Sequence, residues 1–337
     1  MRSRIIFVAT LMVGIAIAAS GCKGCRDRDR PPTLPGSHGA AFDVIVVANH
    51  SAWDGVLGDS VRSVMRAPVP MINSYEPQFY LIRSTPQAHS VHLRRHRNTI
   101  VLDISPEHAE PRMVTENNRF AAPQIIVYVQ GPNQAALARY VGEHGHYLRQ
   151  IFAIAERDRF LALAHRSPAV QLQTLVQEKF GFEMSIPQGF TLANNLDNFL
   201  WLRQEYPQSS QGIVIYTYPH SGPEDFTLEA LMARRNGFVG LIPGEVAGSY
   251  MTTYPDLGPE ISSFGIRGRQ WIEMRGFWDV HGDFMGGPFV SYTTLDAPRN
   301  RIVTLDFYVY SPDPKKPKRN LLRQLESKVH GVRFIED

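Results

Sequence analysis

The sequence has few features on which covalent or catalytic chemistry could be built. It has only two cysteines, Cys22 and Cys25, and both lie near the N-terminus. The rest of the chain therefore has no disulfide, and no second cysteine pair completes a four-ligand zinc site. The P-loop, dinucleotide-binding and Gly-x-Ser-x-Gly patterns are absent, so the sequence predicts no cofactor. The formal net charge of +3 is too small to indicate a nucleic-acid partner.

The two cysteines follow a short apolar segment. Arg2 and Arg4 precede an uncharged run from Ile5 to Ala19, which is shorter than the about 20 residues of a transmembrane helix. A basic start followed by such a run is typical of a signal peptide, here residues 1–21. The run ends in Ala19-Ser20-Gly21-Cys22, which resembles the lipobox of bacterial lipoprotein precursors. The resemblance implies lipidation of Cys22, with the membrane as a partner through that lipid.

The segment after the lipobox predicts a linker rather than folded structure. Residues 22–40 are rich in Arg, Asp, Pro and Gly and contain almost no apolar side chains. Such a composition cannot bury enough surface to offset the entropy of ordering. We therefore expect a lipidated, flexible tether between the membrane and a folded part.

The remaining residues have the composition of a globular protein, with 43% hydrophobic and 10% aromatic residues over the whole chain. Their number favours two domains. We expect an N-terminal α/β domain with a long helix at 41–167 and a C-terminal antiparallel α+β domain at 168–337. The predicted fold class is α+β, with mostly antiparallel sheets backed by helices.

Periodicity supplies the predicted elements. In the last strand, apolar Val303, Leu305 and Phe307 alternate with more polar residues, which predicts one buried and one polar face. Predicted strands cover residues 42–47, 79–82, 99–104, 124–129, 182–186, 213–218, 269–278, 289–295 and 302–310. Predicted helices cover residues 51–65, 133–167, 168–180, 227–235 and 320–329.

Four stretches together resemble one family. They are residues 42–47, "WDGVLGD" at 53–59, "GFWDVHGDFMGGPFVSYT" at 276–293 and "KRNLLRQLE" at 318–326. The chain resembles the uncharacterised bacterial envelope lipoproteins grouped as domain of unknown function 4837. The resemblance implies a cell-envelope address, and with Lys23 after the lipid cysteine it favours the outer membrane. In addition, "FEMSIPQGF" at 182–190 is similar to the fold of photosystem extrinsic subunits and Ran-binding Mog1 proteins.

The C-terminal half carries the predicted binding surface. A glycine-rich hairpin at 281–288 exposes apolar side chains, and aromatic and arginine side chains alternate on nearby strands. Such surfaces are typical of protein interfaces, although a glycan or lipid would also fit. The alternative is that Glu273, Arg275 and Asp306 form a structural ion pair beneath a helix. The residues assigned to the surface are Trp271, Glu273, Arg275, Phe284, Met285, Asp306 and Tyr308.

A second hypothesis is an envelope hydrolase. Asn49, His50, Ser51 and Asp54 follow the first predicted strand, at the edge where open α/β sheets bind ligands. A capping box formed by Ser51 and Asp54 would explain two of these residues without catalysis. The sequence therefore favours a non-catalytic binding or assembly module, with the hydrolase as the alternative.

Histidines are also concentrated in "HSVHLRRHR". His89, His92 and His96 could share a helix face, but the arginines between them would repel a metal ion. A solvated basic segment is the favoured interpretation, and no metal site is predicted.

Overall fold

A computed structural model describes residues 33–313 and 316–335 of the chain. The predicted signal peptide, Cys22 and most of the predicted tether lie outside the described residues. The chain from Pro35 onward forms one compact unit. No helix within the described residues is long and apolar enough to cross a membrane.

The first half of this unit is a sheet covered by helices. The sheet has the order β2-β1-β3-β5-β4; its neighbours are parallel except for the antiparallel edge strand β4. Apolar residues of the strands pack against α2 and α3. The elements are β1 (Asp43–Val47), α1 (His50–Trp53), α2 (Val56–Met65), β2 (Tyr80–Ser84), β3 (Asn98–Ile104), β4 (Arg112–Asn117), β5 (Ile125–Gly131) and α3 (Gln134–Arg166).

The predicted capping box at Ser51 is wrong. Asn49 is the cap, because its side chain accepts a hydrogen bond from Ala52 N at 2.9 Å. The predicted single helix is also divided at Asp54 and Gly55 into α1 and α2. The close approach of the two helices requires Gly58, since a Cβ there would lie 1.8 Å from the Trp53 carbonyl oxygen.

The second half is built on an eight-stranded antiparallel sheet. Its order is β10-β12-β13-β14-β9-β8-β7, and β11 also pairs with β12. The elements are α4 (Val170–Phe180), β6 (Phe182–Glu183), β7 (Thr191–Leu196), β8 (Phe199–Tyr206), β9 (Ser209–Pro219), α5 (Leu228–Val239), β10 (Tyr250–Thr253), β11 (Glu260–Ile266), β12 (Arg269–His281), β13 (Gly286–Asp296), β14 (Arg301–Tyr310), α6 (Lys318–Glu326) and β15 (Arg333–Phe334). The short strands β6 and β15 form a third, two-stranded sheet. Because most of the described strand pairs are antiparallel and helices back the two larger sheets, the predicted α+β class is confirmed.

Both faces of the large sheet are covered. Residues of α4 and α6 share a core with Val303, Leu305 and Phe307 of β14. On the opposite face, α5 packs over a second core that includes Tyr308. The predicted polar face of β14 is therefore buried rather than solvated, because a helix covers each side.

Contacts join the two halves, and others hold the segment before β1. The carboxylate of Glu76, in the loop before β2, accepts hydrogen bonds from Lys318 N and Arg319 N at 2.9 and 2.8 Å. It thereby satisfies free N–H groups at the start of α6.

Residues 35–39, predicted as tether, instead pair with the fold through bridges at Gly36 and His38.

Candidate binding groove

A wide surface groove lies where the two halves meet. One wall is the loop of residues 68–75, which follows α2, and the other is the hairpin between β12 and β13. They border an open groove of about 1140 Å³, which we call the aromatic groove. Its aromatic and large apolar lining residues are Val69, Met71, Ile72, Tyr75, Tyr254, Leu257, Phe277, Trp278, Phe284 and Met285.

The hairpin places Phe284 in solvent. Gly282 adopts a positive φ of 81°, a left-handed conformation that glycine tolerates best. Asp283 Oδ1 then accepts a hydrogen bond from Phe284 N at 2.7 Å, and Asp283 Oδ2 accepts one from Glu245 N at 3.1 Å. The carboxylate of Asp283 thus holds the turn, both to itself and to the loop containing Glu245. The ring of Phe284 is fully exposed. Met285 is half-buried and packs against the core under α5.

The loop wall is held from its two ends. Ile72 packs against the core of the second half, and Val69 N donates to Glu76 O at 2.9 Å. Tyr75 donates its hydroxyl to Arg66 O at 2.9 Å while its ring stays 67% exposed. The groove therefore has fixed walls that present aromatic surface.

The groove is acidic. Among the described lining residues, Asp279 and Asp283 are charged, and none is a lysine or an arginine. Asp256 lies beside the groove and accepts a hydrogen bond from the Tyr254 hydroxyl at 3.2 Å. This hydrogen bond raises the pKa of Tyr254. The electrostatics therefore favour a cationic ligand group beside an apolar one.

Apart from Phe284 and Met285, most of the residues predicted for the binding surface lie in the interior of the protein. Trp271, Asp306 and Tyr308 are buried, so they cannot contact a partner directly. The Tyr308 hydroxyl accepts a hydrogen bond from Trp201 Nε1 at 2.9 Å, and Trp271 belongs to the core shared with α6. Of the predicted surface, Phe284 and Met285 line the aromatic groove.

Glu273 and Arg275 belong to a different, partly buried network. Arg275 donates to Glu273 at 2.5 and 3.0 Å and to Glu326 of α6 at 2.6 Å. Burial opposes ionisation of Glu326, but Arg275 and Arg323 outweigh it, so the pKa of Glu326 lies below its usual value. These contacts join α6 to the sheet.

Asp306 forms a separate ion pair. Its partner is Arg235 of α5, at 2.8 and 3.3 Å, with the guanidinium 3.5 Å from the centre of the Phe289 ring. The predicted ion pair is therefore confirmed for Glu273 and Arg275, which also contact α6 through Glu326. It is wrong for Asp306, which lies on the opposite face of the sheet and pairs with Arg235. No sequence pattern pointed to Arg235, which lies on a helix of weak amphipathic character.

The strand-end cluster proposed for a hydrolase lies on an open surface. The Ser51 hydroxyl donates to Asn49 Oδ1 at 3.1 Å, and His50 Nδ1 pairs with an Arg83 nitrogen at 2.6 Å. Both His50 and Ser51 are exposed. The histidine and the serine are thus each engaged with another partner.

The histidine-rich segment does not form the helix that would align its side chains. A short 3₁₀ turn covers Leu93–Arg95, His96 is buried beside Asn98, and His92 stacks on His38 with ring centres 4.3 Å apart. Within the described residues, no three histidine, cysteine or acidic side chains gather in a way that could hold a metal ion.

Sequence comparison assigns the second half to a family. Residues 169–331 match the family described as "Domain of unknown function (DUF4837)". This segment belongs to the DUF4837 family. Residues 37–164 match a different family, "Domain of unknown function (DUF8532)". Two of the four stretches that suggested the resemblance, at 42–47 and 53–59, therefore lie outside the DUF4837 match. The DUF4837 segment contains the hairpin wall of the groove.

No curated protein matches the sequence. Similar solved structures include a mutant of the protein Mog1, at 9% identity and a TM-score of 0.32, covering 46% of this chain and 92% of that one. The Ran-binding protein Mog1p of Saccharomyces cerevisiae is 12% identical with a TM-score of 0.29, covering 46% and 91%. These scores are too low to establish a shared fold.

Sequence reasoning found the hairpin wall of the groove but missed the loop wall. Phe284 and Met285 stood out because they are apolar residues between glycines, which predicted that both would face solvent. The prediction is confirmed for Phe284, whereas Met285 packs against the core under α5. Tyr75 and Ile72 gave no comparable signal, since the loop has no periodic pattern. A weak sign was the pair Pro68 and Pro70, which ends a helix and favours an extended conformation for the residue before each proline.

Proposed function

We propose that this chain is a non-catalytic binding module of the cell envelope, anchored through lipid on Cys22, that captures an extended protein segment in the aromatic groove. The observation that carries the binding role is the fully exposed ring of Phe284 at the rim of the groove. An exposed apolar ring that continues into an aromatic groove forms a contiguous apolar patch, and such patches are typical of interaction sites.

The chemistry of the groove supports a particular kind of segment. Aromatic walls favour an aliphatic or aromatic side chain, while Asp279 and Asp283 favour a neighbouring lysine or arginine. The volume of about 1140 Å³ exceeds the usual 300–1,000 Å³ of small-molecule pockets. We therefore favour a peptide segment over a glycan or a lipid.

The anchor is supported by the sequence alone. Cys22 follows an apolar run and small residues that resemble a lipobox. A lipid anchor would hold the groove near the membrane, where other envelope proteins present their exposed segments.

An array of random peptides tests the groove directly. We expect the protein to select peptides in which an aliphatic or aromatic residue adjoins a lysine or arginine. Burial of a Phe side chain contributes about 1.5–3 kcal/mol, so Phe284→Ser should weaken binding of these peptides about tenfold or more. Leu163→Ser removes an exposed apolar side chain from α3, outside the groove, and should change nothing.

Two results would contradict the proposal. One is selection of the same peptides, with the same affinity, by the Phe284→Ser protein. The other is a preference for acidic peptides, which the two aspartates of the groove should repel.

A further inference from the structure

The N-terminal chain joins the fold at one defined place. Ala122 N donates to Pro35 O at 2.9 Å, and His38 N donates to Arg95 O at 3.2 Å. The Ser37 hydroxyl also donates to Pro123 O at 2.7 Å. Residues 35–38 therefore run between the segment ending in Arg97 and the loop before β5. Whatever precedes Pro35 starts from this point on the surface.

This surface carries two arginines without acidic partners. The guanidinium of Arg94 lies 5.8 Å from the centre of the Phe120 ring, and Arg95 donates to Gly36 O at 3.3 Å. No carboxylate within the described residues pairs with either one. Arg97 differs, because it forms an ion pair with Glu156 at 2.9 Å. Arg94 and Arg95 thus leave an uncompensated positive charge beside the chain entry.

Exposed apolar and imidazole groups adjoin the two arginines. Val91 is 77% exposed, and the exposed ring of His92 stacks on His38. We call this surface, formed by His38, Val91, His92, Arg94 and Arg95, the entry patch. Cations beside a projecting apolar side chain are the combination found on proteins that lie at a bilayer interface.

We propose that the entry patch binds the headgroups of an anionic phospholipid bilayer and turns this face of the protein toward the membrane. The inference rests on the proposed lipid anchor at Cys22. Twelve residues, Lys23 to Leu34, separate Cys22 from Pro35. Even a fully extended chain of that length reaches only about 45 Å. The patch therefore stays within reach of the bilayer, where phosphate groups supply the missing negative charge. A lipid chain together with a basic surface is the usual pairing of two membrane signals.

Vesicle binding tests the patch without the anchor. The protein from residue 22 onward, with Cys22→Ser, retains the whole compact unit from Pro35. We expect it to bind vesicles of phosphatidylcholine with about 30% phosphatidylglycerol at low salt, and pure phosphatidylcholine much less. Arg94→Gln with Arg95→Gln should weaken binding by about 25-fold, the effect of removing two cations near an anionic surface. High salt should abolish the difference.

A matched control separates the patch from net charge. Arg139→Gln with Arg166→Gln removes the same charge from exposed positions of α3 and should weaken binding less than threefold. Equal weakening by both double variants would overturn the proposal, as would equal binding of the unsubstituted protein to the two vesicles. Acyl labelling of Cys22 in cells reports the anchor separately. An unlabelled chain that still binds the anionic vesicles would contradict the anchor while supporting the patch.

Discussion

At the scale of single residues, the most unusual side chain is a buried lysine. Lys328 follows α6 and is almost completely buried, with its ammonium 5.7 Å from the centre of the Phe190 ring. No carboxylate in the described part of the chain pairs with it. Burial without a counter-ion lowers the pKa of Lys328 to about 7.

This shift makes stability depend on pH. Between pH 7 and 10.5 the unfolded lysine holds a proton that the folded one has lost, so stability rises with pH across this window. Below pH 7 both states are protonated and the full cost of burying the charge remains. We expect Lys328→Met to raise the free energy of unfolding by up to about 4 kcal/mol at pH 6 and about half of that at pH 9.

Urea denaturation at the two pH values measures the effect. The same substitution at the exposed Lys316 should leave the pH dependence unchanged. A gain from Lys328→Met that is equal at pH 6 and pH 9 would show that the buried amine does not titrate in this range.

At the scale of elements, α5 is held to the large sheet by an ion pair. Arg235 and Asp306 are fully buried, and Arg235 also donates to the Thr253 hydroxyl at 2.9 Å. Desolvation raises the pKa of Asp306, and Arg235 opposes that rise. A pair of this kind fixes the position of the helix more than it adds stability, because desolvation offsets much of the attraction.

Substitution of one or both partners should therefore give unequal costs. Arg235→Met leaves a buried carboxylate without a partner and should lower the free energy of unfolding by about 3–5 kcal/mol. Arg235→Met combined with Asp306→Leu should recover most of that loss. As a control, Arg203→Met breaks an exposed pair with Glu205 and should cost less than about 1 kcal/mol. If the double variant is as unstable as the single one in urea, packing rather than charge dominates at this site.

Apolar runs allowed the central strands to be predicted from sequence. Strands β1, β3, β5 and β14 contain consecutive or alternating β-branched and aromatic residues, and all were expected close to their observed limits. The strands β4, β7, β8, β10, β11 and β15 were missed. β4, β7 and β11 are exposed and carry little hydrophobic pattern, and β10 and β15 have only four and two residues. Exposure does not explain β8, whose first four residues are buried. Burial of β14 on both faces could not be predicted either, since it depends on α5 packing from a distant part of the chain.

At the scale of the whole molecule, the two proposed surfaces serve different partners. The aromatic groove, between the loop of residues 68–75 and the hairpin containing Phe284, is proposed to bind a protein segment. The entry patch surrounds the point where the N-terminal segment joins the fold and is proposed to face the membrane. The loop wall lies in the family segment 37–164 and the hairpin wall in the segment 169–331, so both segments build the groove. Glu76 connects the loop wall to α6. We therefore expect both segments to be needed for binding.

Site-specific photocrosslinking in living cells tests the binding role of the groove most directly. A photoreactive amino acid replaces Phe284 in the full-length chain and, as a control, Leu163. We expect a discrete adduct from position 284 in the membrane fraction, little from position 163, and loss of the adduct when Cys22→Ala releases the anchor. An unchanged adduct in the Cys22→Ala protein would contradict the anchored arrangement. Equal adducts from both positions, or none from position 284, would contradict a binding role for the groove.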